Sequence, residues 1–332
     1  MINRISNKIN RIQTDLLFAL NFEKFIFSNK RGAVILCYHG VDLNEDKRFN
    51  MRFFSIKTLE KHFFYLKKHT NVISVKDYFE SRFDSTKLNV AITFDDGYKN
   101  NFKYLKPLLE QYELPASIYV TGLNQTNYPF IWADFADLVL FHTKIGSFYI
   151  QQDEFIKNLN GQFVNHEGLT LKHKIKEVGG WEYKEDFFKL FESEFNELKK
   201  NKALDDYWKI MSDEEIKDCQ NSRFITIGSH GYYHNNLNNI PLEDAKSELV
   251  KSKLYLEKLT QTNISEIAYP DGAYTEELSK WANDQMNLKY QLACSFKFED
   301  DHDKVYIRSR FDLYPVFSYS NQLKEIQPIL KF

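Results

Sequence analysis

Asn89-Val90-Ala91-Ile92-Thr93-Phe94-Asp95-Asp96-Gly97 is a short, mostly apolar segment that runs directly into two carboxylates and a glycine. An apolar run of this length without alternation predicts a strand covered on both faces, as in parallel sheets. Five more segments share the character: 33–38 (AVILCY), 116–120 (ASIYV), 224–228 (FITIG), 266–269 (EIAY) and 289–294 (KYQLAC). Helical spacings lie between them, as in Ile56, Leu59, Phe63 and Leu66, or Phe102, Leu105, Leu108, Leu109 and Tyr112. A helix over 241–260 has Pro241 in its first turn and Glu243 and Asp244 where the helix dipole favours acids, and another from about 276 has Thr275 as its N-cap. Strands alternating with helices predict an α/β fold with a parallel sheet, closed into a barrel or doubly wound.

Composition bounds what such a fold can do. The 332 residues are 43% hydrophobic, which supplies a large core, and 44 Lys and Arg stand against 46 Asp and Glu. A net charge of −2 offers no excess of cations to a nucleic acid backbone. Cys37, Cys219 and Cys294 are too scattered for a disulfide framework, which points to a reducing compartment. The run Leu16-Leu17-Phe18-Ala19-Leu20 is short and followed by Asn21, Glu23 and Lys24, so it does not read as a secretory signal. No window approaches the roughly 20 apolar residues of a membrane span. A cytoplasmic location is expected.

Two stretches depart from the alternation. From Asn124 to Gln220 the chain turns polar, with helical spacing at Phe187, Phe188, Phe191, Phe195 and Leu198, and predicts a mostly helical insertion. Residues 1–31 carry a stripe of Ile2, Ile5, Ile9, Ile12, Leu16 and Leu20 interspersed with Arg4, Lys8 and Arg11. Such stripes mostly pack on the domain behind them or on a second subunit, which is the expectation here. A basic amphipathic helix also suits peripheral contact with the inner face of a membrane. The expected organisation is an N-terminal extension (1–31), a barrel (32–318) interrupted by the insertion, and a C-terminal tail (319–332).

The chemistry-bearing residues share one property: each group begins where an apolar strand ends. His39 follows AVILCY, Asp95 and Asp96 follow NVAITF, His230 and His234 follow FITIG, and Pro270-Asp271-Gly272 follows EIAY. Carboxyl ends of parallel strands are where α/β folds build their sites. Neighbouring side chains of an extended chain point apart, so one of the two aspartates can bind a cation while the other acts as a base, with Gly97 permitting the turn. Taken alone, Asp-Asp-Gly also suits a turn closing a strand. His230 and His234, at i,i+4 spacing, suit a divalent transition metal, and two histidines with one aspartate leave a coordination position open for water.

Thr93-Phe94-Asp95-Asp96-Gly97, Ser229-His230-Gly231-Tyr232-Tyr233-His234 and Ala268-Tyr269-Pro270-Asp271-Gly272, in this order, resemble the first three signature motifs of the polysaccharide deacetylases, the NodB-homology or carbohydrate esterase family 4 group. The likeness runs from about Ala33 to about Val316, excepting the insertion. It implies a distorted (β/α) barrel, Asp95 as general base, and Asp96, His230 and His234 as metal ligands. Two features depart from the family pattern: Ala268 stands where many members have an arginine, and no Leu-x-x-His motif follows near the C-terminus. Tyr38-His39 resembles a subgroup in which an N-terminal histidine is the general acid, which implies that role for His39; a packed structural histidine is the alternative.

The resemblance further implies hydrolysis of an N-acyl group, most simply N-acetyl, on an amino sugar of surface polysaccharide biosynthesis. The implied cofactor is a divalent metal, zinc by ligand preference, with a backbone N–H near Tyr269 stabilising the oxyanion. Other readings are a deformylase or another deacylase acting on a nucleotide- or lipid-linked sugar, and a catalytically silent carbohydrate binder. Tyr98, Tyr269, Pro270 and Asp271 are candidates to line the substrate groove. Arg310, with Asp312, resembles the family's C-terminal strand, where charged residues orient catalytic side chains, and it is also a candidate substrate contact. Trp132 opens a Trp-x-Asp pattern with Asp134 and either stacks on a sugar or packs a helix.

Overall fold

The computed structural model describes residues 2–43, 49 and 51–331, with side chains from Asn7 onward. Its centre is a ring of parallel strands: β1 (Gly32–Tyr38), β2 (Leu88–Phe94), β3 (Ala116–Val120), β4 (Ile225–Ser229), β5 (Glu266–Ala268), β6 (Tyr290–Ala293), β7 (Ile307–Ser309) and β8 (Phe311–Asp312). Neighbours run β7-β6-β5-β4-β3-β2-β1-β8, and every pairing is parallel. Because β7 and β8 are consecutive pieces of one segment, residues 307–312 pair with β6 at one end and β1 at the other, and this segment closes the barrel. Arg310 sits at the break. The distorted (β/α) barrel expected from the sequence is thus observed, and β1 and β2 are buried at every position because helices cover the outside while side chains fill the inside.

Register is what places the site. β1 and β2 pair without slip from Gly32 with Leu88 to Tyr38 with Phe94, so His39 and Asp95 leave adjacent strands at the same level. Asp95 N–H donates to the Tyr38 carbonyl at 3.0 Å, and His230 N–H donates to the Val120 carbonyl at 2.9 Å, extending both ladders by one residue. Thr275 caps its helix as the sequence suggests, accepting from Leu278 N–H at 3.1 Å.

The segment between β3 and β4 is mostly helical, including α2 (Leu171–Val178) and α3 (Trp181–Leu190), and it also holds a three-stranded antiparallel sheet over 147–164 that helical spacing did not announce. Its core is aromatic: Phe130, Phe135, Phe188 and Phe195 meet at ring distances of 4.7 to 5.0 Å, edge to face or stacked. α4 (Leu242–Thr260) follows β4, and α5 (Tyr319–Glu325) lies near the C-terminus.

The N-terminal helix α1 (Ile2–Ala19) does not pack its apolar stripe on the domain behind it. Of the sequence stripe, Ile9, Ile12, Leu16 and Leu20 are exposed; the side chains of Ile2, Ile5 and Arg4 lie outside the described residues. The helix docks through its other face. Thr14 and Phe18 are buried, Asp15 accepts hydrogen bonds from Ser318, Ser320 and Asn321 around the start of α5, and Lys324 reaches the Thr14 hydroxyl. Satisfying those polar groups, with Phe18 against Tyr65 and Tyr319, sets the orientation. No described helix is long and apolar enough to cross a membrane.

Candidate active site

Asp95, at the end of β2, is held by Arg310 through two bonds of 2.7 Å, Nη1 to Oδ1 and Nη2 to Oδ2. Both residues are buried. Burial alone would raise the Asp95 pKa, but the guanidinium charge and its hydrogen bonds outweigh it and hold the group at about 2. Arg310 therefore fixes the carboxylate, and both of its terminal nitrogens are engaged in doing so. His39 and Cys37 lie beside the pair; ligand atoms of the three residues are within 4.8 Å of one another. Burial, then the charge of Arg52, lowers the His39 pKa to about 4, and its Nδ1 has no hydrogen-bond partner.

Asp96 turns the other way, in left-handed backbone (φ 75°), as do His234 (φ 52°) and Asp271 (φ 54°). That conformation costs roughly 1–2 kcal/mol per non-glycine residue and clusters at functional sites. The His230 and His234 Nε2 atoms stand 3.3 and 3.2 Å from Asp96 Oδ1, yet neither Asp96 oxygen makes a geometrically sound hydrogen bond. Three buried donors converging without bonding each other are arranged as ligands around a cation. The His230 geometry agrees: Nδ1 faces the Ala268 carbonyl at 2.7 Å and donates to it, so in the neutral ring Nε2 is the free ligand atom. The residues present thus fit a divalent metal.

The loop carrying His234 is clamped from behind. Glu248 of α4, buried, accepts from the N–H groups of Tyr232, Tyr233 and Asn235 and from the Asn235 side chain. Gly231 (φ 71°) makes room for it, since a Cβ there would lie 2.8 Å from Glu248 Oε1. Lys184 of α3, also buried, donates to the His234 carbonyl and Asn235 Oδ1, each at 2.8 Å. Behind Asp96, Arg52 Nη2 lies 3.8 Å from Asp96 Oδ2 and 3.7 Å from Asp134 Oδ1, while Tyr98 donates to Asp134 Oδ2 at 2.6 Å. Sequence reasoning found neither clamp. Glu248 had a signal, an acid on the inward helix face between Ala245, Leu249 and Ser252; Arg52 and Lys184 had none.

A groove of about 460 Å³ opens onto His234 and Asp271, with Trp132, Arg52, Lys172 and Lys176 among its walls. Asp271 is engaged by Lys176 at 2.5 Å. The tyrosines do not line it: Tyr98 is buried against Asp134, and Tyr269 is buried, donating to Gln291 Oε1 at 2.8 Å and stacked on Tyr274. Pro270 is buried too, so of the third motif the groove meets Asp271. Tyr269 N–H is also spent, on the Leu292 carbonyl at 2.9 Å.

The polysaccharide deacetylase family model matches residues 84–152 and 192–291. Among solved structures, the Streptococcus pyogenes deacetylase PplD in complex with acetate aligns at a TM-score of 0.57 and 16% identity, covering 90% of this chain and 100% of that one. IcaB from Ammonifex degensii aligns at 0.53 and 16%, covering 89% and 96%, and a polysaccharide deacetylase from Bacillus cereus at 0.52 and 17%, covering 89% and 69%. These likenesses speak for the fold. No curated protein sequence matches the chain. The family match takes in just over half of the sequence, including the turns that carry Asp95, Asp96, His230, His234 and Asp271, and the chain belongs to the polysaccharide deacetylase family, hydrolases of the amide bond in N-acetyl sugars.

Proposed function

We propose that the chain removes the N-acetyl group from an amino sugar during surface polysaccharide biosynthesis on the cytoplasmic side, with Asp96, His230 and His234 holding a divalent metal, zinc by ligand preference. The observation that carries this reading is the convergence of those three unbonded donors, from the ends of β2 and β4, beside an ion-paired second carboxylate. A bound divalent ion supplies an acidified water and polarises the amide carbonyl.

The chain's own residues do the rest. Asp95, oriented by Arg310, takes the proton of the attacking water. His39 is neutral at pH 7, so the proton it delivers to the departing amine is one it acquires during turnover; Asp95 lies within 4.8 Å to pass it on. With Tyr269 N–H in the sheet, Pro270 lacking an N–H, and those of Gly272 and Ala273 closing turns, the Asp271 N–H is the donor in that loop for the oxyanion. Trp132 and the groove cations receive the sugar.

The test is to incubate metal-loaded protein with N-acetyl amino sugars in free, oligomeric, nucleotide-linked and lipid-linked form and to follow acetate and free amine by mass spectrometry. Acetate release is expected. Formate release from N-formyl sugars alone would reassign the acyl group, and protein that takes up no metal yet binds sugar without turnover would identify a silent binder.

A further inference from the structure

α1 is docked in the opposite sense to an ordinary surface helix: its hydrogen-bonding face is turned inward and its apolar face outward. Ile9, Ile12 and Leu16 on the helix, and Leu20, Phe22 and Phe25 in the segment after it, are 46 to 61% exposed. The inward face has no vacancy that a rotation would fill, because Asp15, Thr14 and the Arg11 carbonyl are bonded to the α5 region and the Arg11 guanidinium lies 3.8 Å over the Phe317 ring. The outward face is a stable feature of the fold.

Charge says what covers it. Residues 1–31 contain Arg4, Lys8, Arg11, Lys24, Lys30 and Arg31 against Asp15 and Glu23, a formal +4 in a chain whose total is −2. Both acids are consumed internally, Asp15 as above and Glu23 by Lys68 and His69, and of the cations Lys30 is spent on the carbonyls of Leu323, Lys324 and Ile326 and Arg11 on Phe317, which leaves Lys8, Lys24 and Arg31, with Arg4 in the sequence, to face a partner. A second copy docked isologously would set this cationic segment against itself. An anionic bilayer accepts both the apolar side chains and the cations around them, and aromatic residues such as Phe22 and Phe25 favour the headgroup boundary.

We infer that the α1 face is a docking surface for an anionic lipid membrane. Exposed apolar side chains also stand in the segment just before α5. Phe317 beneath Arg11, then Val316 and Tyr314, are exposed, and Leu313 N–H bonds the Cys37 carbonyl two residues before His39. Docking through α1 would hold the enzyme at a surface where a membrane-borne amino sugar is presented; this last step rests on the deacetylase reading above, whereas the docking itself does not.

The experiment is vesicle flotation of the full chain with phosphatidylcholine alone and with about one third phosphatidylglycerol. The protein should float with anionic vesicles and stay behind with neutral ones, and the anionic binding should fall as salt is raised. Ile12→Ser with Leu16→Ser, both at exposed positions, should weaken partition roughly tenfold while leaving the melting temperature and the hydrolysis of a freely soluble substrate unchanged. Failure to float with anionic vesicles, or binding indifferent to the double substitution, overturns the inference. A dimer in sedimentation that the same substitutions dissociate overturns it in favour of a second copy.

Discussion

In the barrel, His39 and Asp95 leave two strands paired in register over seven consecutive positions, Asp95, Asp96, His230 and His234 are buried, and Asp95 is ion-paired to Arg310. In the insertion, the cations that reach the same groove, Lys172 and Lys176, stand on the two-turn helix α2 and are tied only to the partly exposed Asp137 and Asp271. The first arrangement keeps reacting groups in one geometry and gives up adjustability; the second leaves long side chains free to rearrange around whatever is bound. On the function proposed above, the contrast leads us to propose bond breaking for the barrel and choice of substrate for the insertion.

The largest expected effect lies on the barrel side. Asp95→Asn should keep its metal and lose on the order of 10²–10⁴ in turnover, the usual worth of a general base, whereas His234→Ala should lose both. Metal analysis beside acetate release checks this, and an Asp95→Asn enzyme at full rate would remove the division of labour between the two aspartates. Next comes Arg310→Met, which strands a buried carboxylate and should cost about 3–5 kcal/mol in chemical denaturation. Lys176→Ala, which breaks an exposed pair, should cost no more than about 1 kcal/mol. If the two variants lost equal stability, the contrast between regions would fail.

The two regions also differ in how far the sequence discloses them. Parallel strands covered on both faces leave unalternating apolar runs, so β1 to β6 are readable, while 307–312 is broken at Arg310, half exposed at Arg308 and Ser309, and gives no such run. Asp95 and Asp96 are legible as neighbours at a strand end, whereas His230 and His234 converge through an irregular loop with left-handed Gly231 and His234 rather than on the helical turn that i,i+4 spacing suggests, so for them the spacing points to the right residues by the wrong geometry. Arg52 and Lys184 reach the site from remote segments, and no local pattern encodes a contact between Lys184 and His234 fifty positions on. α1 shows the remaining gap: periodicity finds its apolar face but not the direction in which that face points, which Asp15 and its partners around α5 decide.

A smaller effect follows from a barrel histidine away from the metal ligands. His62 is buried beside the Tyr38 hydroxyl at 3.1 Å, and burial lowers its pKa to about 3. Between pH 6.5 and 4 the unfolded chain binds a proton that the folded chain refuses, so stability is complete above pH 6.5 and falls as pH drops, by up to about 1.4 kcal/mol per unit from this one group. His62→Gln should flatten that part of the stability curve, measured by denaturant titration at several pH values. Asp95 acts lower: its stabilising contribution is present above the unfolded value of 3.8 and is lost as pH falls toward 2.

The smallest effect tests the insertion directly. Lys176 is held by one contact to Asp271 at the groove edge, and removing an interaction made equally in the ground and transition states changes KM without changing kcat. Lys176→Ala should therefore raise KM by up to about fivefold, equivalent to roughly 1 kcal/mol, and leave kcat within about twofold. Because Lys176 also partners the third-motif carboxylate, a large fall in kcat would mean that the insertion reaches into the chemistry, by setting where Asp271 and its N–H stand. The ratio of the two kinetic changes thus reports whether the boundary between barrel and insertion lies at the Lys176–Asp271 contact or on the barrel side of it.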